Sequence, residues 1–325
     1  MIHGLQPQVG SEGGERMAMD VTTGAVVPTT DQQEAARISE RTLRSRMVYS
    51  LRQRPSRAIG LILLLGIVLM AIFAPLITPQ TPEVTSFALR FKPPFWMEGS
   101  VSPHFLGTDQ LGRDMWTRIV YGARISLIIG LMAMLVAGPI GVLLGLISGY
   151  AGRSVDVVIM RIADAQLSIP AILLAVTIIA VLGRSLIILI LVLGVTKWVE
   201  YARVTRAEVL YLKETDFVLA ARTVGAKPAR LIFRHMLPNV MTPILVLASF
   251  SVAEMILAEA ALSFLGLGVQ PPNPSWGSMI ADGRNYLSNA WWVTTWPGIA
   301  ILITVLAINF VGDWLTEVLH PRSLE

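Results

Sequence analysis

Long apolar runs alternate along this chain with short polar stretches punctuated by proline, and the apolar runs have the length of membrane-crossing helices. Residues 58–77 contain no charged side chain. At ~1.5 Å rise per residue they cover about 30 Å, the depth of a bilayer's hydrocarbon core. Thr78, Pro79 and Pro82 end the run, and a polar loop over 79–124 with Pro93, Pro94 and Trp96 follows. A second span is predicted over 125–149, rich in small residues, with a kink at Gly138-Pro139. Proline removes a helix hydrogen bond there, and neighbours or water must satisfy the freed carbonyl. The third span, 157–183, is free of charge from Ala165 onward and carries a second kink at Pro170. The fourth is short, with only twelve uncharged residues between Arg184 and Lys197. A snorkelling Lys197 and a headgroup-level Trp198 extend it to about Ala202. A fifth span over 240–262 contains Glu254 and Glu259. A loop with Pro271, Pro272 and Pro274 leads to the sixth, 297–312, which Trp291, Trp292 and Trp296 precede as an interfacial belt.

Composition agrees with this pattern. Of 325 residues, 54% are hydrophobic and only 15% charged, too few charges for a soluble protein of this size. The class is an all-α polytopic membrane protein with six transmembrane helices. Residues 1–36 read as a disordered cytoplasmic tail and 37–57, with seven arginines, as a basic cytoplasmic flank. The first helix and its extracytoplasmic loop occupy 58–124, a core of five helices 125–317, and a short tail 318–325. The N-terminus is polar for about fifty residues and has no cleavable secretory signal pattern.

Charge sets the orientation. With both termini inside, the inner segments hold 19 of the 26 Lys and Arg: eight before the first span, two between spans two and three, eight over 197–234, and Arg322. That bias predicts N-in and C-in, with the loops 79–124 and 263–296 outside. The net charge of +4 is therefore read as membrane orientation, with no nucleic-acid partner.

Several chemistries are excluded. The chain has no cysteine, and its four histidines are scattered outside any H-E-x-x-H pattern. No G-x-S-x-G or other nucleophile constellation appears. None of the four lysines (Lys92, Lys197, Lys213, Lys227) follows a glycine, so no Walker A loop is present. Any ATP hydrolysis belongs to another chain. A secondary transporter would show repeated halves and broken midplane helices, and no convincing internal repeat relates spans 1–3 to 4–6.

The most informative polar segment lies at 213–239, on the predicted cytoplasmic side. Thr215 or Asp216 is placed to cap a short helix, and Gly225 to stop it in a left-handed conformation. Pro228 restarts a second short helix in its first turn, and Pro238 breaks it. The result is a rigid knob. Ala220-Ala221 permits close approach of a partner, and Arg222, Lys227, Arg230 and Arg234 make a basic rim suited to an acidic or phosphate-bearing partner.

Ala220-Ala221, three residues, Gly225, nine residues, His235, one residue, Leu237-Pro238 resembles the cytoplasmic "EAA" loop of ABC-importer permeases. Leu219 stands where that pattern has Glu and His235 where it has Ile. "HFLGTDQLGRDMWTRIVYGARISL" (104–127) and "AEAALSFLGLGVQPPNPSWGSMI" (258–280) resemble segments of dipeptide and oligopeptide permeases, C-type subunit. The resemblance covers roughly residues 50–317. It implies the type I ABC importer permease fold in a bacterial plasma (inner) membrane. It also implies a second homologous permease, two ATPase subunits on the coupling loop, and an extracytoplasmic binding protein delivering di- or oligopeptides. No cofactor belongs to this chain; ATP and Mg are bound by the partner ATPase subunits. Glutathione, nickel chelates or sugar-linked compounds are alternative cargoes of the same class.

Two features stay open at this level. The "GTDQLGRD" stretch either meets a binding protein or outer gate, or is local structure in which Thr108 caps a helix. Glu254 lies deep in the fifth span, and Glu259 is rotated from it by about 140° at ~100° per residue. Both cannot face one surface. Glu254 either pairs with a polar group of a neighbouring span or partner permease, or lines the translocation pathway and attracts a peptide's ammonium end.

Overall fold

The computed structural model describes residues 55–319, and among these it is helical, without a strand and with one isolated bridge between Thr108 and Asp114. The expectations for residues 1–36, for most of the flank 37–57, and for the tail from residue 320 lie outside the described residues. The helices are α1 (Pro55–Ile72), α2 (Ala74–Ile77), α3 (Met115–Ala151), α4 (Arg153–Leu167), α5 (Ala171–Leu182), α6 (Leu186–Leu212), α7 (Asp216–Thr223), α8 (Pro228–Phe264), α9 (Trp276–Gly283) and α10 (Trp292–Leu319). Four of them, α1, α3, α8 and α10, are long and apolar enough to cross a bilayer.

The predicted third span is not one kinked helix. α4 and α5 meet at 87° across Ser168, Ile169 and Pro170. Proline denies the ladder an N–H and pushes the residue before it out of the helical region, so the chain turns there. α4 is the more polar half of the pair, and its polar groups find partners on α3 and α6. Asp164 accepts from Arg203 Nη2 at 2.6 Å, and Asp156 accepts from Arg206 Nε and Nη2 at 2.5 and 2.6 Å. Gln166 donates to the Val195 and Thr196 carbonyls and accepts from Trp198 Nε1. These bonds pin α4 along α6. By contrast α3 runs unbroken through Pro139.

α6 corrects the reading of the fourth span. It continues to Leu212, well past Ala202, and carries Lys197, Glu200, Arg203, Arg206 and Glu208. Trp198 is buried, and its Nε1 donates to Gln166. The tightest helix pair is α3 with α6, and small residues make it. Gly141, Gly145 and Gly149 recur every four residues on one face of α3. A Cβ on Gly145 would fall 2.5 Å from Ala202 O and Thr205 Cβ, and one on Gly149 would fall 2.8 Å from Val209 Cβ. Backbones approach this closely where van der Waals contact has to drive association of apolar helices.

At one end of the bundle, residues 79–114 and α9 fold into a cap. Asp109 is fully buried and accepts from the Leu111 and Arg113 amides (2.8 and 2.9 Å), from Arg113 Nε at 2.6 Å, and from Arg118. Asp114, not Thr108, caps α3, accepting from the Thr117 amide at 2.7 Å. Thr108 instead accepts from the Lys92 amide and donates to Leu89 O inside the loop. The expected tryptophan belt is corrected in part. Trp292 is buried and donates to Thr108 O at 3.0 Å, while Trp296 meets Trp96 edge to face at 5.8 Å. These rings fasten the loop to α10.

Candidate functional site

The opposite end of the bundle carries the segment that the sequence marks as a knob. α7 starts at Asp216, whose carboxylate in the first turn complements the helix dipole. Thr215 occupies the N-cap position, but its hydroxyl donates back to Leu212 O at 2.6 Å and does not cap α7. The stop is a Schellman motif. Gly225 has φ +84°, its amide bonds Arg222 O at 3.0 Å, and the Ala226 amide bonds Ala221 O at 3.1 Å. A Cβ on Gly225 would meet nothing within 4 Å, so the glycine answers to backbone conformation alone.

Pro228 is the first residue of the next helix, as its fixed φ and missing N–H favour. The break expected at Pro238 is absent. A π-helical turn over Leu231–Met236 precedes it, in which the Leu237 amide bonds Ile232 O, five residues back. That wide turn makes room for the proline ring, and Asn239 Nδ2 bonds the His235 carbonyl at 2.6 Å. The second short helix therefore merges into α8.

Val218, Leu231 and Met236 anchor the knob in the larger hydrophobic core, with Ala221 and Ala226 packed against it. The outward face carries Ala220, Phe217, Leu219, Phe233 and Val224, the last 90% exposed. Arg222, Lys227, Arg230 and Arg234 are also exposed, beside Pro228 and Pro238, and His235 is half-buried. The rim is basic as expected. The apolar patch beside it was not anticipated, although Phe217, Leu219 and Val224 are visible as apolar residues in a polar loop. Large apolar groups clustered outside a core mark a contact surface.

Glu254 lies far from this knob, within α8. It is ten residues before Phe264, or about 15 Å from that end of the helix at ~1.5 Å per residue. Its carboxylate accepts from Lys197 Nζ, which also donates to Glu200 Oε1 at 2.6 Å. Lys197 is eleven residues from the start of α6, about 17 Å along its axis. The two levels agree, and the lysine turns to Glu254 on the neighbouring helix in place of reaching for the end of its own. The Glu254 and Glu200 side chains are 51% and 44% exposed and that of Lys197 is 24% exposed. Glu259 behaves differently. It is fully buried and accepts from Ser263 at 2.6 Å and from Ser275, the N-cap of α9, at 2.8 Å.

Comparison with known proteins follows the same lines. A family model for the binding-protein-dependent transport system inner membrane component matches residues 141–324. One for the N-terminal TM domain of oligopeptide transport permease C matches residues 42–94. A putative peptide transport system permease protein of Brucella suis is 48% identical over 84% of this chain and 90% of its own. The di/tripeptide transport system permease protein DppC of Pseudomonas aeruginosa is 44% identical over 81% and 87%. The oligopeptide transport system permease protein OppC of Bacillus subtilis is 40% identical over 89% and 93%. Among solved structures, the inward-facing MetNI methionine ABC transporter shares the fold, with a TM-score of 0.54 at 21% identity over 63% of this chain and 97% of that one. The chain belongs to the binding-protein-dependent transport system inner membrane components and is a membrane-embedded permease subunit of an ABC importer.

Proposed function

We propose that this permease crosses a bacterial inner membrane six times with both termini cytoplasmic, and that with a second, homologous permease it forms the path for di- or oligopeptides. The bent α4–α5 pair and the charged α6 supply the two crossings beyond the four apolar helices. The lysine and arginine bias over 197–234 supports a cytoplasmic knob. An extracytoplasmic binding protein delivers the cargo to the cap. Two ATPase subunits bind ATP and Mg and dock on α7. The names of the relatives support a peptide cargo.

The observation that carries this reading is the knob itself. A short helix locked by a Schellman stop, anchored by Val218 and Leu231, presents apolar and basic side chains outward. Such an element transmits force as a rigid body. Glu254, with Lys197 and Glu200, lines the pathway, because the two half-exposed carboxylates would be costly against lipid.

The test is Gly225→Val. The valine is forced into a left-handed conformation at a strain of about 1–2 kcal/mol or more, with no clash to relieve. The complex should assemble, while peptide uptake and peptide-stimulated ATPase activity fall together. Normal uptake at normal abundance would sink the coupling role.

A further inference from the structure

We propose that Lys197 holds the place of a cargo ammonium: it neutralises Glu254 and Glu200 while the path is empty and gives Glu254 up to a cationic group of the passing peptide. This rests on the pathway reading of Glu254 given above.

Three observations point to an exchange and not to a fixed brace. The first is depth. Two independent helix counts place Lys197 and Glu254 at one level, about 15–17 Å from the neighbouring ends of α6 and α8 and several turns inside both helices. The second is the asymmetry of exposure. Both carboxylates are roughly twice as exposed as the lysine, 51% and 44% against 24%, so an incoming cation reaches them first. The third is the chemistry of the pair. The lysine head is a primary ammonium, a compact point charge with three rotatable donors, the same group that ends a peptide. A brace elsewhere on α6 looks different: Arg206 holds Asp156 through two parallel bonds that Ser148 supplements.

The energetic reason for such an arrangement is conservation of charge pairing. Removing one partner of an ion pair held inside the bilayer leaves the other charge without its counter-ion. Replacing one ammonium by another keeps Glu254 paired throughout. Glu200 remains for Lys197 during the exchange, three residues away on the same helix. Cargo then meets an attractive but replaceable contact, and the returning lysine displaces it. The consequence is a preference for cationic over anionic cargo in the pathway, with release preserved.

The experiment uses the full transporter, reconstituted in vesicles with its own binding protein. The tripeptides Ala-Lys-Ala, Ala-Ala-Ala and Ala-Glu-Ala share both termini and differ in one side-chain charge. Uptake is normalised to assembled complex, and the preference of the binding protein cancels between variants. Glu254→Gln should lower the cationic-to-anionic uptake ratio, and Lys197→Met should raise it, each by about tenfold, the worth of one charge-assisted hydrogen bond. Lys197→Met should also slow maximal turnover of Ala-Lys-Ala, because nothing displaces it from Glu254. Should Lys197→Met impair assembly, Lys197→Arg decides the matter. Its fork holds a carboxylate more firmly than an ammonium does, so Ala-Lys-Ala uptake should fall with assembly intact. A ratio that responds to Glu254→Gln but not to Lys197→Met, or unchanged Ala-Lys-Ala uptake by Lys197→Arg, would overturn the exchange and leave the pathway standing. A ratio unmoved by Glu254→Gln in intact complexes would remove the pathway reading, and the exchange with it.

Discussion

The two ends of this permease hold their polar groups in different ways. The cap pairs its buried acids from within, although it too leaves Phe87, Phe95 and Phe105 exposed. Asp109 is fully buried yet takes bonds from two amides and two arginines, and Trp276 and Trp292 bury their rings while donating to Ile119 O and Thr108 O. Glu259 and Ser275 tie α9 back to α8. The knob leaves its business unfinished. Of the eight residues of α7 only Val218 is buried, and Phe217, Leu219 and Val224 face outward. One end secures its buried charges internally. The other has a rigid backbone and open apolar surface, which on the proposed function the ATPase subunits cover.

This contrast can be broken from either side. The largest effect is expected from Asp109→Ala. It removes the short ion pair of the buried Arg118, leaving only its 3.5 Å contact with Asp282, and strands two amides, a loss of about 3–5 kcal/mol by the usual cost of removing one partner of a buried pair. A melt of the detergent-solubilised protein should show a large drop in midpoint. A wild-type melt would mean that the cap is not held by this network. Much smaller is the expected stability effect of Phe217→Ser, within about ±0.5 kcal/mol, because the ring touches solvent in the single chain. The same variant should nevertheless lower ATPase binding and uptake. A destabilised permease with normal coupling would reverse the assignment of that face.

How much of this was legible follows from the range of the forces. The Gly225 stop and the Pro228 start are local signals, and both stand where the sequence puts them. The apolar runs also located the four long apolar helices, since length and hydropathy are local. Misreadings arose where a distant partner decided. Lys197 read as a snorkelling end because its partner, Glu254, is 57 residues away. Trp292 read as an interfacial anchor because its acceptor, Thr108 O, is 184 residues away. Thr108 looked like a cap, yet Asp114 stands next to the start of α3 and takes that role. At Pro238 the rule that proline ends a helix lost to a π-helical turn that no local pattern announced. The Asp109–Arg118 network was invisible for the same reason: nothing in "GTDQLGRD" says which charges turn inward.

The central claim is that α7 is completed by the ATPase subunits, and thiol labelling tests it most directly. The chain has no native cysteine, so single cysteines report cleanly. Val224→Cys, at the most exposed point of the knob, should label readily in the permease pair alone and become protected when the ATPase subunits are added. Asn289→Cys, exposed in the loop between α9 and α10, should label equally in both states. Equal labelling of Val224→Cys with and without assembled ATPase subunits would contradict the docking role of the knob.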